Sequence, residues 1–273
     1  MTTITMPVTA TVTTMSETLP DPFIYGWRQV IRFGPAGERL YVRVPLTLED
    51  ILHPQEDDVR MHSYEHEQIC TYLNNVFQAQ LAHDPTAKVL LDVRVAWDRP
   101  NVDPHTPDIA VVFGLKRQQN WATFYEAKEG TRPTLVVEIT SPSTRYVDLV
   151  DKFDEYELVG LDYYILIDHH QNRHGEQRRV LGYQFTPNGY TYISPNEQGW
   201  LWLEPLGIWL AWDEDILVCY NKAGELIPNY VQVTQERANL KAQVKEEIQA
   251  RTEAEARIAE LEAELRRLRG EDK

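Results

Sequence analysis

Residues Thr134–Thr140 read TLVVEIT, a run with the β-branched content of a strand buried on both faces, and one charge sits inside it. A sheet built from strands of this kind must be covered on each side, which restricts the chain to layered α/β architectures. Glu138 tightens the restriction. A carboxylate at that position is costly to desolvate unless a metal ion or a fixed cation meets it, so the fold must deliver one or the other. The bland alternatives are a buried ion pair and a side chain that points past the sheet edge.

The neighbouring patterns supply the rest of such a layered fold. From His62 to about Ala82, the apolar residues Tyr64, Ile69, Leu73, Val76, Phe77 and Leu81 recur at helical spacing. Lys88–Trp97 and Asp108–Phe113 read as strands, followed by the strand that carries Glu138. Ser141-Pro142-Ser143-Thr144 then offers capping residues, and a helical rhythm runs from Tyr146 to the Gly160 stop. Tyr163–Ile167 is a further buried strand. The order helix, three strands, helix, strand predicts a central mixed β-sheet flanked by helices, its last unit a right-handed crossover.

Appendages surround this core. Ile24–Arg32 and Glu38–Val44 flank Gly34-Pro35-Ala36-Gly37 in the manner of a hairpin, and Arg178–Trp212 suggests further antiparallel strands with a turn at Pro187-Asn188-Gly189. From about Val233 the composition turns to Ala, Glu, Arg, Lys and Leu, which predicts a long helix. On a heptad, Val244, Ile258 and Leu265 share one core position, and Leu240, Ala254, Leu261 and Leu268 share the other. Glu247 and Arg251 interrupt the seam. Such a helix is either solvated and held by charge pairs or self-associating through its Ile258–Leu268 end, which would make a coiled coil and a homodimer. We therefore expect a disordered tail over 1–20, one domain over 21–230 and a charged helix over 231–273.

No run in the 273 residues approaches the roughly 18 apolar residues of a membrane span, and the Thr-rich first twenty lack the basic start and apolar block of an export signal. Cys70 and Cys219 make no Cys-x-x-Cys pair, so a reducing cytoplasm is the expected compartment. A formal net charge of −15 argues against a broad basic surface for nucleic acid, although metal-holding acids contribute to that count and a local basic strip can coexist with it.

Asp108 follows Pro107 at the start of a strand, and alone it reads as a turn residue. Its meaning comes from Glu138: adjacent strands can bring the two together, and paired carboxylates repel unless a cation lies between them. Hard oxygen donors with open positions suit Mg²⁺ or Mn²⁺. Lys152 lies on the following helix with Asp148 and Tyr156 four residues to either side, so all three share one face. Its ammonium could offset charge building on a phosphate, or it could simply pair with Asp148 on the helix surface. Glu65 and His66 on the first helix are weaker candidates, with Glu65 retained as a supporting residue. His105 reads as an exposed loop histidine, and His169, His170 and His174 as a polar loop.

Pro107-Asp108, Glu138-Ile139-Thr140-Ser141-Pro142-Ser143-Thr144, then Asp148, Lys152, Tyr156, Gly160 and Tyr163–Asp168 together resemble the Uma-two type of restriction endonucleases, within the PD-(D/E)XK nuclease superfamily. The resemblance covers roughly Gly26–Pro228. It implies a restriction-endonuclease-like core in which Asp108, Glu138 and the Ile139 backbone carbonyl bind a divalent metal, Mg²⁺ or Mn²⁺. It also implies Asp108, Glu138 and Lys152 as the catalytic set, with Asp148 and Tyr156 in support. Thr140 departs from the superfamily pattern, since it occupies the usual lysine slot and carries no charge; the resemblance implies that Lys152 on the next helix takes over. The expected activity is endonucleolytic hydrolysis of DNA by a metal-activated water, with RNA as the alternative substrate. From a different class, the chain could be an inactive nuclease-fold module for binding or assembly, a reading that the acidic charge and Thr140 favour.

Overall fold

The computed structural model describes residues 21–172 and 175–269; the tail expected over 1–20 lies outside the described residues. The chain divides into two compact units between Met61 and His62. In the first, β1 (Gly26–Phe33) pairs antiparallel with β2 (Arg39–Pro45), as the hairpin pattern predicted. The helix α1 (Leu48–Leu52) follows, and β3 (Asp58–Arg60) adds to the other edge of β1. A capping box between Thr47 and Asp50 starts α1. The Arg28 guanidinium grips Asp58 at 2.6 Å and Asp50 at 2.8 Å, fastening β1 to both later elements.

In the second unit the chain runs α2 (Tyr64–Gln80), β4 (Lys88–Leu91), β5 (Arg94–Ala96), β6 (Ile109–Val112), β7 (Thr123–Tyr125), α3 (Glu126–Glu129) and β8 (Pro133–Ile139). A wide π-type turn over Val147–Asp151 leads into α4 (Lys152–Val159). Then come β9 (Tyr163–Asn172), β10 (Gly175–Thr186), β11 (Gly189–Tyr192), β12 (Leu201–Leu203), β13 (Ile208–Asp213), β14 (Ile216–Tyr220) and α5 (Tyr230–Leu268). The central sheet has the order β11-β10-β9-β8-β6-β4, mixed as expected: β8 and β9 are parallel across α4, and the other neighbours are antiparallel.

Alternation along β8 divides the core. Leu135, Val137 and Ile139 face a cluster with α2 and the three-stranded sheet β12-β13-β14. Val136 faces a second cluster, with Tyr156 and Val159 of α4 and with Val95 and Phe124 of the small parallel pair β5-β7. Both faces of the central sheet are thereby covered, as the unbroken apolar run of β8 requires.

β3, β7 and α3 have no counterpart in the sequence expectation, and two expected elements differ in form. The single strand expected over Lys88–Trp97 is broken at Asp92, whose φ of 52° is left-handed; Asp and Asn are among the few side chains that tolerate this region. The chain therefore leaves the central sheet after β4, and β5 pairs with β7 instead. The helix expected after the Ser-Pro-Ser-Thr run opens with the π turn, in which the Lys152 amide bonds back to the Val147 carbonyl. α5 is exposed along its length, and no helix among the described residues is long and apolar enough to cross a membrane.

Gly160 ends α4 with φ 69°, and a Cβ there would lie 3.4 Å from the Phe185 ring. Gly160→Ala should lower unfolding free energy by about 1 kcal/mol in urea denaturation, since the left-handed cap is strained for any side chain.

Candidate active site

β6 and β8 pair with Ile109 opposite Val137, so one further step of the same register sets Asp108 across from Glu138. Both carboxylates then share the sheet face that α4 covers, because Ala110 and Val136, two residues along each strand, belong to the cluster on that face. The Ile139 amide donates to Asp108 Oδ2 at 2.8 Å, and the Asp108 amide points to Glu138 Oε2 at 3.4 Å. The sheet backbone itself thus orients the pair. Both side chains are buried, Glu138 to 1% exposure.

Lys152 enters from the first position of α4. Its Nζ lies 3.0 Å from Glu138 Oε2 and 2.8 Å from Asp148 Oδ1, and all three groups are withdrawn from solvent. Tyr156, one helical turn on, donates its hydroxyl to Glu138 Oε1 at 2.8 Å. Asp148 sits in the π turn, where its other oxygen accepts from Thr144 Oγ1 at 3.1 Å. The Tyr164 hydroxyl donates to the Asp148 carbonyl at 2.7 Å and ties the turn to β9. The shared face read from the spacing of residues 148, 152 and 156 is therefore the face turned toward Glu138.

The electrostatics of this cluster are unbalanced. Burial pushes the Glu138 carboxyl up to about 7; Lys152 opposes the rise, while Asp108 and Asp148 add repulsion to it. Burial raises Asp148 as well, against the pull of Lys152. Glu138 and Asp148 share the Lys152 ammonium, and Asp108 brings a third carboxylate to the same end of the sheet. Oxygen donors with negative charge in excess are the chemistry that a divalent cation satisfies, so the residues fit such an ion.

The remaining candidates are placed differently. Glu65 points to His169, with Oε1 3.3 Å from Nδ1, and is partly exposed. The helix residue that reaches Asp108 is its neighbour His66, with Nε2 3.4 Å from Oδ1 and its ring stacked on His62 at 4.3 Å. His105 is not an exposed loop residue: it is fully buried, accepts the Trp97 indole N–H at 2.7 Å and lies 2.8 Å from Glu155. The bridge between Val95 and His105 pulls this segment inward. His169 and His170 stand on β9 instead of in a loop, and His174 lies outside the described residues. Thr140, in the usual lysine slot, donates to Asp168, which also holds Arg145 and Arg179 and is kept down to about 2 despite its burial by those hydrogen bonds and charges.

Because Glu138 is raised in the folded state, its contribution to stability is fully present below its ordinary value of 4.5 and is lost as pH rises toward about 7. Glu138→Gln removes that slope. Urea unfolding of metal-free protein should show the variant gaining on the wild type between pH 5 and about 8; parallel curves would show that Glu138 titrates normally.

A family model described as "Uma2: Putative restriction endonuclease" matches residues 59–214. No match was found among curated proteins. Among solved structures, the chain is similar to one described as a putative nuclease belonging to DUF820 from Anabaena variabilis ATCC 29413. The identity is 18%, with 51% of this chain and 80% of that chain covered and a TM-score of 0.36, too distant to carry an argument about the site. The family match spans more than half of the sequence and includes both carboxylate strands, the π turn and α4: the chain belongs to the Uma2 family of putative restriction endonucleases.

Proposed function

We propose that the chain is a divalent-metal-dependent endonuclease that hydrolyses phosphodiester bonds of DNA, with Asp108, Glu138 and Lys152 as its catalytic residues. The observation that carries this reading is the convergence of Asp108, Glu138 and Lys152 on one end of the central sheet. Asp108 and Glu138 would hold Mg²⁺ or Mn²⁺, with the Ile139 carbonyl beside them, and the ion would supply Lewis acidity and lower the pKa of a bound water.

The chain's own groups do the rest. Lys152 offers a buried ammonium to the charge that builds on the phosphate, where low dielectric strengthens the interaction. Asp148 holds that ammonium from one turn earlier, and Thr144 holds Asp148. Tyr156 fixes one Glu138 oxygen and leaves the other directed to Lys152 and Asp108. Backbone phosphates also find partners nearby: Arg145 and Arg179 bring two guanidiniums against the one carboxylate of Asp168, and both are partly exposed. This local surplus favours a polyanionic substrate despite the acidic whole.

One observation favours the alternative, an inactive binding or assembly module: Lys152 already pairs with both Glu138 and Asp148 within the chain. Cleavage of plasmid DNA and of RNA in Mg²⁺ and in Mn²⁺ separates the two. Asp108→Asn, Glu138→Gln and Lys152→Met should each reduce DNA cleavage about 100-fold or more with unchanged far-ultraviolet circular dichroism. Undiminished cleavage by Asp108→Asn would contradict the assignment, and absence of cleavage by the wild type would favour the module.

A further inference from the structure

We propose that His66, with His62 behind it, extends the Asp108 site into a mixed nitrogen and oxygen centre that prefers a first-row transition-metal dication over Mg²⁺. The inference rests on the reading of Asp108 as a metal ligand and adds the identity of the ion. Asp108 Oδ2 is engaged by the Ile139 amide, which turns Oδ1 toward His66 Nε2 at 3.4 Å. Two donors about 2.1 Å from a tetrahedral ion stand about 3.4 Å apart, so this spacing is the edge of such a centre. One donor atom each from His62, His66 and Asp108 lie within 4.8 Å of one another.

The local sequence explains the placement. Ser63 caps α2 and accepts the His66 amide, which sets His66 in the first turn, while His62 precedes the cap and stacks against it. α2 packs on the opposite sheet face from α4, and His66 at its start reaches Asp108 at the end of β6. Imidazole donors suit Fe²⁺, Co²⁺ and Zn²⁺, and to a smaller degree Mn²⁺, better than Mg²⁺, which keeps oxygen ligands and its own water. The competing account is a plain ion pair between protonated His66 and Asp108.

Calorimetric titration of the full chain at about pH 8, where imidazoles are neutral, separates these. Mn²⁺ should bind at least about tenfold tighter than Mg²⁺; His66→Ala should weaken Mn²⁺ about tenfold or more and Mg²⁺ less than about twofold. His62→Ala should give a smaller loss of the same sign. If His66→Ala left Mn²⁺ affinity unchanged, or weakened both ions equally, the proposal would be overturned. Nuclease assays on the same samples keep the two readings apart. Tight His66-dependent Mn²⁺ binding without cleavage would sustain the metal centre and remove the nuclease, whereas Mg²⁺-supported cleavage insensitive to His66→Ala would do the reverse.

A separate observation concerns α5. We infer that it pairs antiparallel with α5 of a second copy, about a two-fold axis between Glu247 and Arg251. Core residues of antiparallel helices meet between the two different heptad positions. About that axis, Arg251 lies against Glu247 of the partner subunit, and the reciprocal contact repeats the pair. Ile258 then meets Leu240 of the partner subunit, Ala254 meets Val244 of the partner subunit, and Lys241 flanks Glu255 of the partner subunit. Leu265 and Leu268 reach Val233 and Tyr230 of the partner subunit, residues that line an apolar cavity of about 720 Å³ with Ile69, Tyr72, Trp212 and Ile227. Leu261 facing Arg237 of the partner subunit is the weak layer, and Glu236 facing Glu264 of the partner subunit the like-charged flank.

A parallel pair would instead stack Arg251 on Arg251 of the partner subunit and Glu247 on Glu247 of the partner subunit, so charge selects the antiparallel arrangement. The 39-residue helix would hold two nuclease bodies about 58 Å apart along its axis. Sedimentation equilibrium of the full chain tests this. Glu247→Arg or Arg251→Glu alone should weaken the dimer about tenfold or more, and the double exchange should restore it. A monomer throughout the micromolar range, or a dimer indifferent to all three variants, would overturn it.

Discussion

The arrangement of the second unit depends on a lysine buried between two carboxylates. Lys152 Nζ touches Glu138 and Asp148, and removing any one of the three would leave charge stranded in a medium that solvates it poorly. The interaction joins β8 to α4 across the layer boundary and fixes the height of the helix against the sheet. It is nonetheless incomplete: Glu138 is still held up to about 7, because one ammonium does not compensate its burial together with the charges of Asp108 and Asp148. An ion pair selected for stability alone is commonly no better than apolar packing. Excess negative charge of this kind is what a bound cation would offset.

The surrounding fold serves this geometry. Burial of β8 on both faces excludes water, and the antiparallel partnership with β6 aligns Asp108 with Glu138 through backbone amides. The π turn carries Asp148 ahead of α4, and Tyr164 from the parallel strand β9 ties it down. β6, β8, α4, β9 and the π turn are thus tied to one another by distinct hydrogen bonds and ion pairs.

Much of this was legible in the sequence because each feature violates or obeys a simple rule. Glu138 stands out as a charge within an apolar strand, and residues 148, 152 and 156 fall on one helical face. The order of the main helices and strands of the core follows from hydrophobic period together with capping and turn residues. Asp108 was different, since Pro-Asp is ordinary until strand pairing supplies its neighbour. Asp92 was missed because an apolar run does not show a single left-handed residue that diverts β5 from the central sheet. The π turn has no periodic signature separate from the helix it opens. Exposure of His105 was misjudged for a related reason: the bridge to Val95 and the Trp97 bond that bury it are long-range pairings. Between Glu65 and His66, adjacent on one turn, only the angle at which α2 meets the sheet decides which reaches Asp108.

The central claim is that Asp108 and Glu138 form a cation site beside Lys152. Anomalous diffraction from a Mn²⁺-soaked crystal tests it most directly. The account predicts a Mn²⁺ peak about 2.2 Å from oxygens of both carboxylates, with Lys152 Nζ retained on Asp148. A peak elsewhere, with the Glu138 to Lys152 contact unbroken and Asp108 unliganded, would contradict it.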